Sequence, residues 1–191
     1  YREVILGQWR AAKNQRAIAE PGPLTAAEVY FNPPDYLSGD GDIYGKGSVV
    51  LHSLRYLLGD ATFFPMLRRW VYPTDSLERI TDGRQVRFVT TDQLVAFVST
   101  TAGRDLSWFF DVYVRGPALP RLVETRTDST LTLRWVTASE RVFPMPVDIE
   151  VDGVRRRYPF EGGVEVLRVR RSAQVRIDPD YWVFRQLPDV P

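Results

Sequence analysis

One change of hydrophobic period divides this chain of 191 residues. Up to about residue 117 the apolar residues recur at helical spacing, and after Leu119-Pro120 they alternate with a period of two. A helix buries every third or fourth residue and a strand every second, so neither pattern settles into the other kind of element. The chain is therefore expected to be α+β in two parts. Residues 1–118 read as helical and residues 119–191 as a small antiparallel β-sandwich.

Within the first part, Val4, Ile5, Leu6, Trp9, Ala12 and Ile18 keep a rough helical period that stops at Glu20-Pro21-Gly22-Pro23. A Pro-, Gly- and Asp-rich stretch follows and reads as a loop across FNPPDYLSGDGD. A second helix is expected from about Tyr44 to Leu58, stopped by Gly59. Asp60 is expected to cap a third over ATFFPMLRRWV, where Pro65 kinks the helix or forces an earlier break. A fourth starts at TTDQLVAFVSTTAG, where Thr90 and Gln93 have capping-box spacing and Gly103 closes the end. Asp105 is expected to cap a fifth over LSWFFDVYVRG, ending at Gly116-Pro117.

In the second part, STLTLRWV alternates cleanly and puts Leu131, Leu133 and Trp135 on one face. VDIEVDGVRRRYPF reads as a hairpin turning at Asp152-Gly153. GVEVLRVRR and AQVRIDPDYWVF add further strands, and six or seven short strands in about 70 residues suit a sandwich.

Composition narrows the function. Apolar residues make up 44% and aromatics 13%, enough for a real core. A formal net charge of +1 argues against a whole-domain nucleic-acid footprint. The absence of cysteine excludes disulfides, cysteine zinc sites, iron–sulfur clusters and a thiol nucleophile, and leaves the compartment unspecified. No apolar run approaches the ~20 residues of a membrane-spanning helix. The chain opens on Tyr1, already in a helical pattern and without a leader, so it reads as a segment of a longer protein.

Few residues are left to carry chemistry. The single histidine, His52, completes neither a Ser-His-Asp triad nor a His-x-x-x-His zinc pair. It lies roughly 12 Å along the helix from Tyr44 at ~1.5 Å per residue, and it reads as a hydrogen-bonded interior or interfacial residue. Gly41, Gly45, Lys46 and Gly47 miss the phosphate-loop spacing and put a glycine where its hydroxyl belongs. Arg155, Arg156, Arg157, Arg168, Arg170 and Arg171 form a basic cluster that reads as a solvated strand face, with an anionic partner as the lesser reading. Asp35, Asp40 and Asp42 are turn residues or the acidic lining of a cleft that recognises an amine. Tyr44 stands at a helix entrance where Ser, Thr, Asp or Asn is usual. It is either a packed aromatic or a phenol projecting into a cleft to donate a hydrogen bond to a developing oxyanion.

Several stretches in order resemble the M1 family of zinc aminopeptidases. They are IYGKGSVVLHSLRYLLGDATFFPMLRRWV, FVTTDQLVAFVSTTAGRDLSWFFDVYV and ALPRL, followed by VFPMPVDIEVDG and RIDPDYWV. The resemblance covers about residues 30–185 and implies the C-terminal part of a thermolysin-like catalytic domain followed by its β-sandwich. It implies a parent enzyme that removes N-terminal residues from peptides with one zinc, held by a His-Glu-x-x-His helix and a more distal glutamate. The tyrosine that stabilises the tetrahedral intermediate in that family corresponds to Tyr44. No His-Glu-x-x-His, ligand glutamate or Gly-x-Met-Glu-Asn-type loop occurs in this chain, and PTDSLERITDGRQVRF makes a longer link than the shortest members have. Zinc is therefore expected in the parent and none on this chain, which would be inactive alone. The alternative is a non-catalytic peptidase-like scaffold or binding module. If the sandwich were a separate module, Tyr158, Tyr181 or Trp182 would be its exposed aromatics. Truncation is also expected to leave an apolar face near Trp9, Leu51 or Phe109 that self-associates or packs on the missing part of the catalytic domain.

Overall fold

The structure, a computed structural model, describes residues 1–12, 14, 17–19, 44–139 and 141–187. Among these are five α-helices: α1 (Arg2–Ala11), α2 (Gly45–Leu58), α3 (Asp60–Val71), α4 (Thr91–Ala102) and α5 (Ser107–Tyr113). Six strands follow: β1 (Arg121–Arg126), β2 (Thr130–Val136), β3 (Val147–Val151), β4 (Val154–Tyr158), β5 (Val164–Arg168) and β6 (Val175–Ile177). The architecture is α+β, helices first and strands after, as the change of period implies.

Helix ends show how local chemistry sets the boundaries. Helix α1 stops at Ala11 and does not reach Ile18, because Ala12 is extended and Asn14 adopts φ 54°. The Asn14 side chain donates to the Ala12 carbonyl at 3.0 Å, a local bond that competes with the helix. Helix α2 ends at Gly59 with φ 76°, and the same glycine is the N-cap of α3. Asp60 is therefore not the cap. Its carboxylate instead takes two hydrogen bonds from the Arg55 guanidinium, each 2.7 Å. Helix α3 also runs through Pro65 without a break. Pro65 and Ala61, whose carbonyl loses its usual donor, are both exposed, so water can solvate that carbonyl.

Helix α4 carries the full capping box expected of Thr90 and Gln93. It closes on left-handed Gly103, with the Arg104 amide bonded to Ser99 O and the Gly103 amide to Thr100 O. Helix α5 begins at Ser107, whose amide bonds the Asp105 carboxylate at 2.9 Å, and ends at Tyr113, three residues short of Gly116. It buries Phe109, Phe110, Val112 and Tyr113. Each such side chain stabilises the fold by about 1.5–3 kcal/mol relative to exposure.

The strands form two antiparallel three-stranded sheets, ordered β1-β2-β5 and β4-β3-β6. The register pairs Leu131 with Leu167 and Val147 with Tyr158. Leu131, Leu133 and Trp135 line the inner face of one sheet and Val147 and Ile149 that of the other, all buried. The Trp135 ring lies edge-on to Phe143, and its indole N–H donates to Met145 O at 2.8 Å. The β3–β4 hairpin turns at Asp152 (φ 49°) and Gly153 (φ 83°), the left-handed pair that a two-residue hairpin turn requires.

After β6 the chain departs from the expected strand. Asp178 takes φ 48°, and its buried carboxylate accepts the Trp182 amide at 2.8 Å and the Val183 amide at 3.0 Å. The resulting loop, residues 178–187, lies between helices and sheets. Trp9 Nε1 donates to Arg185 O (2.9 Å), Tyr113 Oη to Phe184 O (2.5 Å) and Ser53 Oγ to Trp182 O (3.0 Å). The Phe184 amide returns to Ser53 Oγ at 2.9 Å.

Candidate functional site

The stretch Tyr44-Gly45-Lys46-Gly47 forms the entrance to α2, and its geometry follows from 100° of rotation per helical residue. Tyr44 and Lys46 are two residues apart and so point to nearly opposite sides. Lys46 turns inward and is fully buried, with its ammonium donating to Gly116 O at 3.1 Å and Pro117 O at 2.9 Å. Gly45 is buried against α1, where a Cβ would sit 3.1 Å from Gln8 Oε1. These contacts leave Tyr44 on the outer side, 64% exposed.

Tyr44 is the N-cap of α2, yet its side chain makes no capping bond. Its backbone is already helical, with φ −86° and ψ −58°, and its carbonyl accepts the Ser48 amide at 2.9 Å. Tyr44 thus has its main chain held in helical conformation and its side chain on the outer side of α2. Below it on the same face come Ser48, Leu51 and Arg55, of which Leu51 is 43% exposed. The other two positions named for an apolar face, Trp9 and Phe109, are themselves core residues at 4% and 0% exposure.

His52 belongs to the interior. Its ring stacks on Trp182 with centroids 4.4 Å apart. Nε2 lies 3.2 Å from the Tyr181 carbonyl, which can only accept, so Nε2 carries the proton and Nδ1 accepts the Tyr1 hydroxyl at 2.9 Å. Burial lowers the pKa of His52, the nearby Arg55 charge adds to this, and the bond to Tyr181 opposes it. Both ring nitrogens are engaged within the fold, and among the described residues no group of three or more His, Cys, Asp or Glu could hold a metal ion. The described residues thus do not fit a zinc site.

The basic cluster resolves by strand face. Arg155 and Arg157 point to the outer side of their sheet, where Arg155 pairs with Asp180 and Glu150, and Arg157 with Asp148. Arg170 pairs with Asp152 at 3.4 Å and Arg171 with Asp128 at 2.8 Å. Arg156 and Arg168 have no such partner among the described residues. Tyr158, Tyr181 and Trp182 are half-buried, the last two within the 178–187 loop. Asp35, Asp40 and Asp42 lie outside the described residues. No described helix is long and apolar enough to cross a membrane.

Lys46 is the residue that sequence reasoning left without a role. Its signal was present: it is one of two lysines among 25 basic residues, two positions from the tyrosine.

No protein-family model matches the chain, nor does any curated protein. Among solved structures, Legionella pneumophila aminopeptidase A in complex with aspartic acid is similar at 16% identity and a TM-score of 0.44. The match covers 90% of this chain and 20% of that one, so the chain spans about a fifth of its length. At that distance the likeness carries no argument about activity.

Proposed function

We propose that the chain is part of a zinc-dependent aminopeptidase of the M1 type, which removes N-terminal residues from peptides. In this reading residues 1–118 belong to the catalytic domain and residues 119–191 to the β-sandwich after it. Tyr44 is its catalytic residue, and its hydroxyl donates a hydrogen bond to the oxygen that becomes negative in the tetrahedral intermediate. The observation that carries the reading is the exposed phenol at the α2 entrance, on a turn that buried Lys46 ties to the Gly116 and Pro117 carbonyls. Such anchoring limits how far the donor must reorganise during reaction. Zinc would be held by residues other than those described, and this chain alone would be inactive.

The test is Tyr44→Phe in the full-length protein. Turnover should fall by roughly 10²–10³, as for loss of a single oxyanion donor, with zinc content and thermal midpoint unchanged. Undiminished turnover would refute the role. The second reading is a peptidase-like scaffold without catalysis. A His-Glu-x-x-His helix in the residues preceding Tyr1 of the parent decides for the enzyme, and a degenerate version for the scaffold.

A further inference from the structure

The two sheets of the sandwich do not cover one another completely. On β3, Val147 and Ile149 are fully buried, but their cross-strand neighbours on β4 are Tyr158, which is half-buried, and Arg156, which is exposed. Val154, on the same inward side of β4, is 58% exposed. The apolar face of this sheet therefore continues past the edge of the opposite one. That opposite edge is β5, which pairs with β2 on one side and with no other described strand. Between them lies an open groove of about 430 Å³, lined by Val154, Arg156 and Tyr158 from β4, and by Val166 and Arg168 from β5 with Val169 just beyond it.

Charge marks the same groove. The neighbouring arginines at 155, 157, 170 and 171 all have carboxylate partners. Arg156 and Arg168, the two in the groove, have none among the described residues. An edge strand with unpaired main-chain groups beside an uncovered apolar face is a template for one further strand. Alternating side chains of such a strand face opposite sides. Arg156 stands between Val154 and Tyr158 on the same inner face, so the inward side chains of such a strand would read apolar, acidic, apolar, and an outward carboxylate would meet Arg168 at the rim.

We propose that the β4–β5 groove binds an extended acidic segment of another polypeptide, whose inward side chains are apolar, acidic and apolar in turn, and which adds to β5 as a fourth strand. The probe is a fluorescein-labelled Val-Thr-Glu-Glu-Val-Thr peptide, about the length of one strand, titrated against the full chain by fluorescence anisotropy. Hydrogen exchange at residues 164–168 is followed in parallel. The expected result is saturable binding, weakened by salt, with new protection of the β5 amides. Arg156→Glu and Arg168→Glu should each weaken it by about tenfold or more; both side chains are exposed, so circular dichroism should show the fold retained. Absence of binding, equal binding of the same peptide with Lys in place of Glu, or affinity unchanged in both variants would overturn the proposal. So would β5 amides already protected without peptide, or self-association abolished by Arg156→Glu, since the occupant would then be the protein itself.

Discussion

Asp178 and Arg185 form an ion pair with side chains 0% and 7% exposed, and the loop between them is what joins helices to sheets. Burial pushes the Asp178 carboxyl up and the Arg185 guanidinium down, while each charge holds the other ionised. The carboxylate is satisfied by Arg185 at 3.2 Å and by two main-chain amides. Removing one partner leaves a buried charge uncompensated, which typically costs about 3–5 kcal/mol. Arg185→Met is therefore expected to lower the urea-unfolding free energy by that amount. Asp178→Asn should cost less than Asp178→Ala, because the amide oxygen still accepts a backbone N–H. A loss below about 1 kcal/mol for Arg185→Met would mean that main-chain bonds alone hold the loop.

Helix α2 meets that loop through His52, which makes the contact sensitive to acid. The imidazole is held below its ordinary value of 6.5 by burial, so the folded protein resists a proton that the unfolded chain accepts. Stability from this source is complete above pH 6.5, falls as pH drops through that value, and levels off below the folded pKa. Urea midpoints at about pH 7.5 and 5.5 should differ, and His52→Gln should remove part of the difference. An unchanged difference in that variant would assign it to other groups. The expectation of a hydrogen-bonded interior or interfacial His52 agrees with its burial and its bonds to Tyr181 and Tyr1. Helix α4 was equally legible, since its start and stop signals are local: Thr90 and Gln93 satisfy amides within one turn, and Gly103 supplies its own left-handed backbone. Asp60 and the strand expected beyond Ile177 were misread for the opposite reason. Arg55 takes the Asp60 carboxylate, and Asp178 folds the chain back onto distant Ser53 and Trp9 through its loop. Lys46 shows the same limit at the candidate site. That Tyr44 stands at a helix entrance could be read directly, but the carbonyls that bury Lys46 lie 70 and 71 residues away.

At the scale of the molecule, the division at residue 118 and the packing make different demands. The period change separates helices from strands, yet the 178–187 loop of the second part is bonded to α1, α2 and α5 of the first. Tyr56 of α2 also donates to Asp148 of β3 at 2.6 Å, and the Arg157 guanidinium of β4 lies 3.8 Å from the Tyr56 ring centre. Burying the Tyr56 phenol beside the Asp148 carboxylate pushes its pKa far up, so it remains a donor across the neutral range. With these contacts shared, neither part can open without stranding buried polar groups of the other. Thermal unfolding should therefore be a single transition, with far-ultraviolet circular dichroism at helical and strand wavelengths and tryptophan fluorescence giving one midpoint. Trp9 reports the helical part, Trp135 the sandwich and Trp182 the loop between them. Two separated midpoints would show that 1–118 and 119–191 fold independently and that the 178–187 loop is only laid against the helices. In that event Trp9→Phe, which deletes the indole bond to Arg185 O, should leave the sandwich midpoint in place; with shared cooperativity it lowers the common one.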